Sequence, residues 1–309
     1  MAEALVLSVQ HFCLHDGPGV RSLVFLKGCP LRCVWCQNPE SNRAGPERAF
    51  KAQKCIACGT CVDACPEQAI DAPGLRDAAR CRLCFTCVAR CPSEALVRFG
   101  TARSADSVVD ELRPELPLLT SSGGGVTLTG GEPTQHPEVA LELTRALKAL
   151  GVHVAMETCG HFRMADAAAL VAALDLVLFD LKPFDDQEHQ RLCGASNVKA
   201  KENLRALAAA HREGKGPPVW PRLPLVPGLT DGRENLLAWA DFLRELGLSR
   251  LTLVPFHRLG EGKREWLGLP PGPAVAPPTR AALESASALL ASRGVATFAP
   301  GDEEWAFSP

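Results

Sequence analysis

Between residues 101 and 309 the chain repeats a pattern: a short run rich in β-branched and other apolar residues, then a longer stretch with apolar residues three or four apart. The short runs predict strands at Gly125 to Thr129, Val152 to Glu157, Leu176 to Asp180, Val219 to Leu225 and Leu251 to Phe256. The longer stretches predict helices at Pro137 to Leu150, Ala200 to Arg212 and Glu234 to Leu246. An earlier helix starts near the capping candidates Ser104 or Asp106, and a late one follows Thr279. With the run Arg21 to Lys27 this makes about six β/α units. Such units demand a parallel sheet with right-handed crossovers, so the options are an open doubly wound sheet or a full or partial barrel; six suit a partial barrel.

The stretch from Gly45 to Gly100 breaks the rhythm, being short on strands and full of Cys, Pro and small residues. It reads as an insert, which gives a first part at 1–45, the insert at 46–100 and the remainder at 101–309. The segments Gly214 to Pro218 and Pro270 to Pro278 read as loops, since proline denies a sheet its N–H groups.

Composition narrows the function classes. The 33 basic residues nearly balance 35 acidic ones, so no field favours nucleic acid or an anionic membrane. No segment reaches the ~18 uninterrupted apolar residues of a membrane span, and the start MAEALVLSVQHF lacks a basic leader region, which predicts a cytoplasmic protein. Fourteen cysteines in such a chain argue for metal or cluster ligation over disulfides.

Eleven of them lie between Cys29 and Cys91. Cys29, Cys33 and Cys36 form C-x3-C-x2-C directly after the strand-like run Arg21 to Lys27. Three thiolates on one loop can hold three irons of a 4Fe-4S cube and leave the fourth open to another ligand. A structural zinc site would want a fourth ligand, and none stands at a fitting interval. Cys55, Cys58, Cys61 and Cys65, followed by Pro66, form C-x2-C-x2-C-x3-C, and Cys81, Cys84, Cys87 and Cys91 repeat it before Pro92. This is the two-cluster ferredoxin pattern, in which the fourth cysteine of each run serves the other cluster. The expected sets are Cys55, Cys58, Cys61 and Cys91, and Cys65, Cys81, Cys84 and Cys87. Cys13, Cys159 and Cys193 stand alone and read as small buried hydrophobes.

At GCPLRCVWCQNP the sequence resembles the radical S-adenosylmethionine (SAM) superfamily. HDGPGVRSLVFLKGCPLRCVWCQNPES, GGVTLTGGEP, METCG, LVLFDLK, PLVPGLTD and VPFHRLG occur in the order seen in glycyl-radical-enzyme activating enzymes, in the subgroup with a ferredoxin-like insert. The resemblance implies a partial (β/α)6 barrel and three 4Fe-4S clusters, one of which binds SAM, with a monovalent cation nearby. The implied chemistry is reductive cleavage of SAM to a 5′-deoxyadenosyl radical, which takes hydrogen from a glycine of a partner glycyl radical enzyme. A flavodoxin or ferredoxin reductant and a monomeric state complete the expectation.

The resemblance also places residues. Cys36 and Gln37 adjoin the nucleoside, and Trp35 either stacks near the adenine or packs as a loop tryptophan. Gly130 and Gly131 let the backbone approach the methionine amino group, and Glu132 accepts from its ammonium. Glu157, Thr158, Asp180, Leu181 and Lys182, at two strand ends, surround the ribose and carboxylate. Arg222 reaches the cofactor carboxylate or belongs to a buried pair. Asp16 in the HDGPG turn meets the partner's glycyl loop or forms an Asx turn. Some relatives carry a SAM-contacting histidine after PG-x-[ST]-D; here none lies between His211 and His257, and Asn235 or Leu237 occupies that neighbourhood. His257 matches a family segment but reads more simply as a core or loop histidine. Two other functions compete: a radical SAM enzyme acting on a small molecule, and a plain ferredoxin, which leaves Cys29 to Cys36 and GGEP unexplained.

Overall fold

A computed structural model describes residues 2–300. Thirteen strands run in chain order: β1 Glu3–Cys13, β2 Arg21–Leu26, β3 Glu47–Phe50, β4 Ile70–Ala72, β5 Leu75–Arg76, β6 Leu96–Phe99, β7 Thr101–Ser104, β8 Gly125–Gly130, β9 His153–Thr158, β10 Leu176–Asp180, β11 Val219–Leu225, β12 Arg250–Pro255 and β13 Ala296–Phe298. Nine form one sheet in the order β13-β12-β11-β10-β9-β8-β2-β1-β7. From β2 through β13 every pairing is parallel, while β1 pairs antiparallel with both β2 and β7. β7 and β13 are the edges and do not meet, so the barrel stays open on one side, the partial (β/α)6 barrel that six β/α units imply.

Parallel strands covered on both faces read as continuous apolar runs, and RSLVFL in β2 is buried at every position. Val24, Val126, Leu128, Val154 and Val177 are fully buried in one large core with the outer helices. Ser104 and Thr279 are the caps of the helices Ala105–Leu112 and Arg280–Ala291, each side-chain oxygen accepting from the N–H three residues on. Predicted bounds of the barrel strands and helices agree within two residues.

Three strands of the large sheet escape the pattern. β7 (TARS) has almost no apolar content and exists because β1 offers it an unpaired edge, as at Leu5 opposite Ala102. β13 has three residues, too few for a period. β1 is an irregular ribbon with register shifts toward its exposed end. The segment from 45 to 100 also holds more strand than expected: β3 pairs with β6 and β4 with β5, both antiparallel. These strands have two to four residues, below what alternation can register.

Candidate functional site

A cavity of about 750 Å³ opens at the carboxyl ends of the parallel strands. Its wall holds Cys29, Cys33 and Cys36, and the loop carrying them is held from two sides. Arg32 N–H donates to Cys193 O at 2.7 Å and Val34 N–H to Leu192 O at 3.0 Å, tying it to the end of the helix Asp186–Cys193. Gly28 N–H donates to Ser41 O at 2.6 Å. Cys159 and Cys193 are buried under this loop, packed with Leu31 and Trp35; Cys13, by contrast, is half-buried on the cavity wall. Burial pushes the Cys36 thiol up to about 12, so a metal bound there must displace a proton.

The opposite wall gathers charge. Arg222 Nη1 lies 3.1 Å from Asp16 Oδ1 and 3.5 Å from Glu157 Oε1, and Lys182 Nζ lies 3.0 Å from Asp180 Oδ2. Glu157 also accepts from Thr129 Oγ1. Burial pushes the Glu157 carboxyl up to about 7, with Asp180 and Asp16 adding repulsion that Arg222 only partly offsets. Burial works against the Arg222 charge as well, yet Glu157, Asp16 and Asp180 hold its affinity for a proton above the ordinary value. Both shifts are upward because three carboxylates share one guanidinium: the arginine stays charged, and Glu157 is held back from ionising. Burial also opposes the Lys182 charge, but Asp180 reverses it and raises that pKa well above the usual value.

The Asp16 turn is clamped by a residue that sequence reasoning passed over. Arg21 is fully buried; its Nε donates to Thr127 Oγ1 at 2.7 Å, and Thr127 Oγ1 donates to Asp16 O at 2.7 Å. Its Nη1 donates to Pro18 O within the same turn at 3.1 Å. A buried arginine in a strand-like run after DGPG was the available signal.

Several residues expected at the cofactor also have packing or hydrogen-bond roles within the protein. Gly130 and Gly131 line the cavity, but their lack of a Cβ answers to packing: a Cβ on Gly131 would lie 2.2 Å from Gly28 O, and one on Gly130 2.6 Å from Leu26 O. Glu132 is fully buried outside the cavity lining. Its Oε1 accepts from Thr134 Oγ1 at 2.8 Å and its Oε2 from Cys159 N–H at 2.8 Å, while Thr158 Oγ1 donates to both; it ties β8 to β9. Leu181 is buried in the main core. Asn235 is spent on structure, accepting from Phe184 N–H at 2.7 Å and donating to Thr230 O at 2.6 Å. Trp35, Gln37, Thr158 and His257 line the cavity; Trp35 is also packed in the cluster beneath the cysteine loop. Phe12, Leu14 and Leu259, on the same cavity wall, are exposed apolar residues that no motif announced.

The other eight cysteines line two small cavities in the insert. One is bordered by Cys65, Cys81, Cys84 and Cys87, the other by Cys55, Cys58, Cys61 and Cys91. The two motifs repeat one backbone path: Ala57, Gly59 and Gln68 have positive φ, and so do Leu83, Phe85 and Glu94, each 26 residues on. Sulfur acceptors recur too, with Thr60 Oγ1 3.3 Å from Cys58 Sγ and Thr86 Oγ1 3.4 Å from Cys84 Sγ. Among the described residues no three His, Cys, Asp or Glu side chains converge on a single-ion site. Thiolates that each bind a different iron of a cube need no such convergence.

Residues 79–240 match the radical SAM superfamily and residues 50–71 the 4Fe-4S binding domain family. The isethionate sulfite-lyase activating enzyme of Nitratidesulfovibrio vulgaris is 41% identical over 85% of this chain and 87% of its own. This chain belongs to the glycyl-radical-enzyme activating enzymes. The family spreads over several substrates: the choline trimethylamine-lyase activating enzyme of Oleidesulfovibrio alaskensis is 36% identical over 86% of this chain and 87% of its own. The pyruvate formate-lyase 2-activating enzyme of Escherichia coli is likewise 36% identical, over 86% and 81%. Among solved structures, Streptococcus suis SuiB bound to precursor peptide SuiA aligns with a TM-score of 0.54 at 13% identity, covering 92% of this chain and 49% of that one, a likeness of fold alone. The chain is thus an activating oxidoreductase that uses SAM and 4Fe-4S chemistry on a glycyl radical enzyme. No helix among the described residues is long and apolar enough to cross a membrane.

Proposed function

We propose that this activating enzyme carries three 4Fe-4S clusters, one at Cys29, Cys33 and Cys36 and two in the insert, and serves a glycyl radical lyase of the C–N, C–S or C–O cleaving kind. The observation that carries it is the single cavity with a three-thiol loop on one wall and the Asp16, Arg222, Glu157 and Asp180 cluster on the other. When bound there, a cluster with one open iron supplies the electron that splits the sulfonium of SAM into methionine and a 5′-deoxyadenosyl radical. The chain's own residues orient and enclose. Arg222 keeps a buried Nε with no hydrogen-bond partner among the described residues, a free donor for the cofactor carboxylate. Gly130 and Gly131 present backbone to the amino group, and Glu132 fixes that backbone from behind. Asp180, Lys182 and Glu157 take the ribose side, with a monovalent cation nearby.

Asp16 faces the partner's glycyl loop from a turn that Arg21 immobilises. The domain division at 1–45, 46–100 and 101–309 follows from the insert; of these ranges Met1 and residues 301–309 lie outside the described residues. A flavodoxin or ferredoxin in the cytoplasm, where thiols stay reduced, supplies electrons to the monomer. Relatives that activate isethionate sulfite-lyase and choline trimethylamine-lyase support the lyase class.

The test mixes reduced enzyme, SAM and the glycyl radical lyase encoded beside it, without oxygen. A glycyl doublet in electron paramagnetic resonance, with deuterium passing from labelled glycine to 5′-deoxyadenosine, supports the proposal. Label that stays in the partner while a small molecule is transformed overturns it.

A further inference from the structure

The two insert cavities share a backbone but not a charge. The one bordered by Cys55, Cys58, Cys61 and Cys91 has no charged residue in its lining. The other, bordered by Cys65, Cys81, Cys84 and Cys87, adds Arg48, Arg82 and Glu67. Arg82 Nε pairs with Glu67 Oε1 at 3.0 Å, so those two cancel and Arg48 remains as a net positive charge.

Arg48 is unusual in two further ways. Its Nη2 donates to Gly74 O at 3.2 Å, but Nε and Nη1 are buried with no hydrogen-bond partner among the described residues. An unpaired charged donor in a protein interior is costly. Arg48 also stands directly opposite Arg98 in the β3–β6 ladder, where like charges destabilise. The Arg98 guanidinium sits 4.5 Å from the centroid of the Phe85 ring, which borders the same cavity. Two arginines side by side, one with idle donors, are explained by an anionic guest, and four thiolates around an iron-sulfur cube are anionic.

We propose that Arg48 makes the cluster site of Cys65, Cys81, Cys84 and Cys87 the more easily reduced of the two insert sites, and so the first resting place of an incoming electron. Hydrogen bonds and positive charge at the sulfurs stabilise the reduced, more negative form. The other contributions point both ways. Each site has one threonine hydroxyl on sulfur and a backbone N–H on sulfur, Ala57 to Cys55 Sγ at 3.4 Å and Ala69 to Cys65 Sγ at 3.2 Å; the backbone of Ser93, Ala95 and Leu96 also favours the Cys91 thiolate of the first site, and Arg82 the Cys84 thiolate of the second. Ser93 Oγ, 3.7 Å from Cys91 Sγ, favours the first site, but a neutral contact of that length is weaker than a charge-assisted one. Arg48 also favours the Cys61 thiolate of the first site, so that site rises too, by less, since Arg48 borders only the second cavity. A one-electron donor of the flavodoxin or ferredoxin class loses one electron in this step, and no bond or proton changes.

The inference rests on the two-cluster reading of the insert, and its test separates the two. Full-length reconstituted protein is titrated with redox mediators and followed by electron paramagnetic resonance, alongside an iron count. About 12 irons per chain verify the reading beneath, and about 4 overturn both. Given 12, Arg48→Met is expected to lower the less negative insert potential by about 59 mV, a tenfold change in the oxidised-to-reduced ratio at fixed potential, and the other by less. Arg48→Lys, which keeps the charge, recovers part of the shift and guards against a folding defect in the first variant. Cys84→Ser is expected to perturb the less negative signal. Unmoved potentials in a fully loaded Arg48→Met, or loss of the more negative signal in Cys84→Ser, overturn the proposal.

Discussion

The barrel and the insert solve the same problem, holding sulfur ligands in place, by opposite means. The barrel has a large apolar core, with Val24, Leu128 and Val177 fully buried, and its three-cysteine loop packs in a second cluster with Leu31, Trp35 and Val226. The insert's buried apolar cluster is only Cys61, Ile70, Cys87 and Leu96, two of which are expected ligands. A scaffold this small needs a staple, so in the insert the ligand site stands in for a core, whereas in the barrel the core precedes the site. Ligand loss should therefore cost the barrel its chemistry and the insert its structure.

The largest effects split along that line. Cys29→Ala, Cys33→Ala or Cys36→Ala should take 5′-deoxyadenosine formation below detection while circular dichroism of the barrel stays unchanged. Wild-type cleavage in dithionite-reduced Cys33→Ala would refute the loop's role. Stripping iron with a chelator should erase hydrogen-exchange protection across β3 and β6 yet leave β8 to β11 protected. Uniform loss in both regions, or in neither, would dissolve the contrast.

Glycines sharpen it further. In the barrel, Gly131→Ala drives a Cβ to 2.2 Å from Gly28 O and should cost about 2–4 kcal/mol, read as a lower melting temperature. In the insert, Gly59 has φ +76° but nothing within 4 Å of a Cβ, and its counterpart 26 residues on is Phe85 at φ +59°. Gly59→Ala should thus cost only the left-handed backbone penalty of about 1 kcal/mol. Equal costs at the two glycines would mean that close approach is not what the barrel glycine answers to.

The same contrast explains what could be read from the chain alone. Cysteine spacing and the six buried strands are local patterns, and both were legible. Glu132 was not: its carboxylate looks available in GGEP, and only folding brings Thr158 Oγ1 and Cys159 N–H from β9 and the turn after it to occupy it. Asn235 stands where a ligand histidine would, but its amide bridges Phe184 and Thr230, contacts invisible at sequence distances of 51 and 5. Arg48 carried no motif at all; its meaning comes from a strand register that puts it against Arg98. Nonlocal polar pairing is the level at which residue patterns stop being informative.

The smallest effect concerns Glu157, a cavity carboxyl whose ionisation the barrel resists. Glu157 ionises at about 7 in the folded chain against 4.5 unperturbed, through burial and the neighbouring Asp180 and Asp16. Between those values the native state holds a proton that the unfolded chain has released, so the native state binds more protons and its stability must fall as pH rises through this window. Glu157→Gln removes the titration but keeps an acceptor for Thr129 Oγ1. The difference in melting temperature, wild type minus Glu157→Gln, should therefore decline from about pH 4.5 to about pH 7 and level off above. Taking the difference cancels the insert, whose lining acids are surface pairs such as Glu67 with Arg82. A flat difference would mean that Arg222 ionises Glu157 fully, and the barrel wall would then carry charge at every pH where the enzyme works.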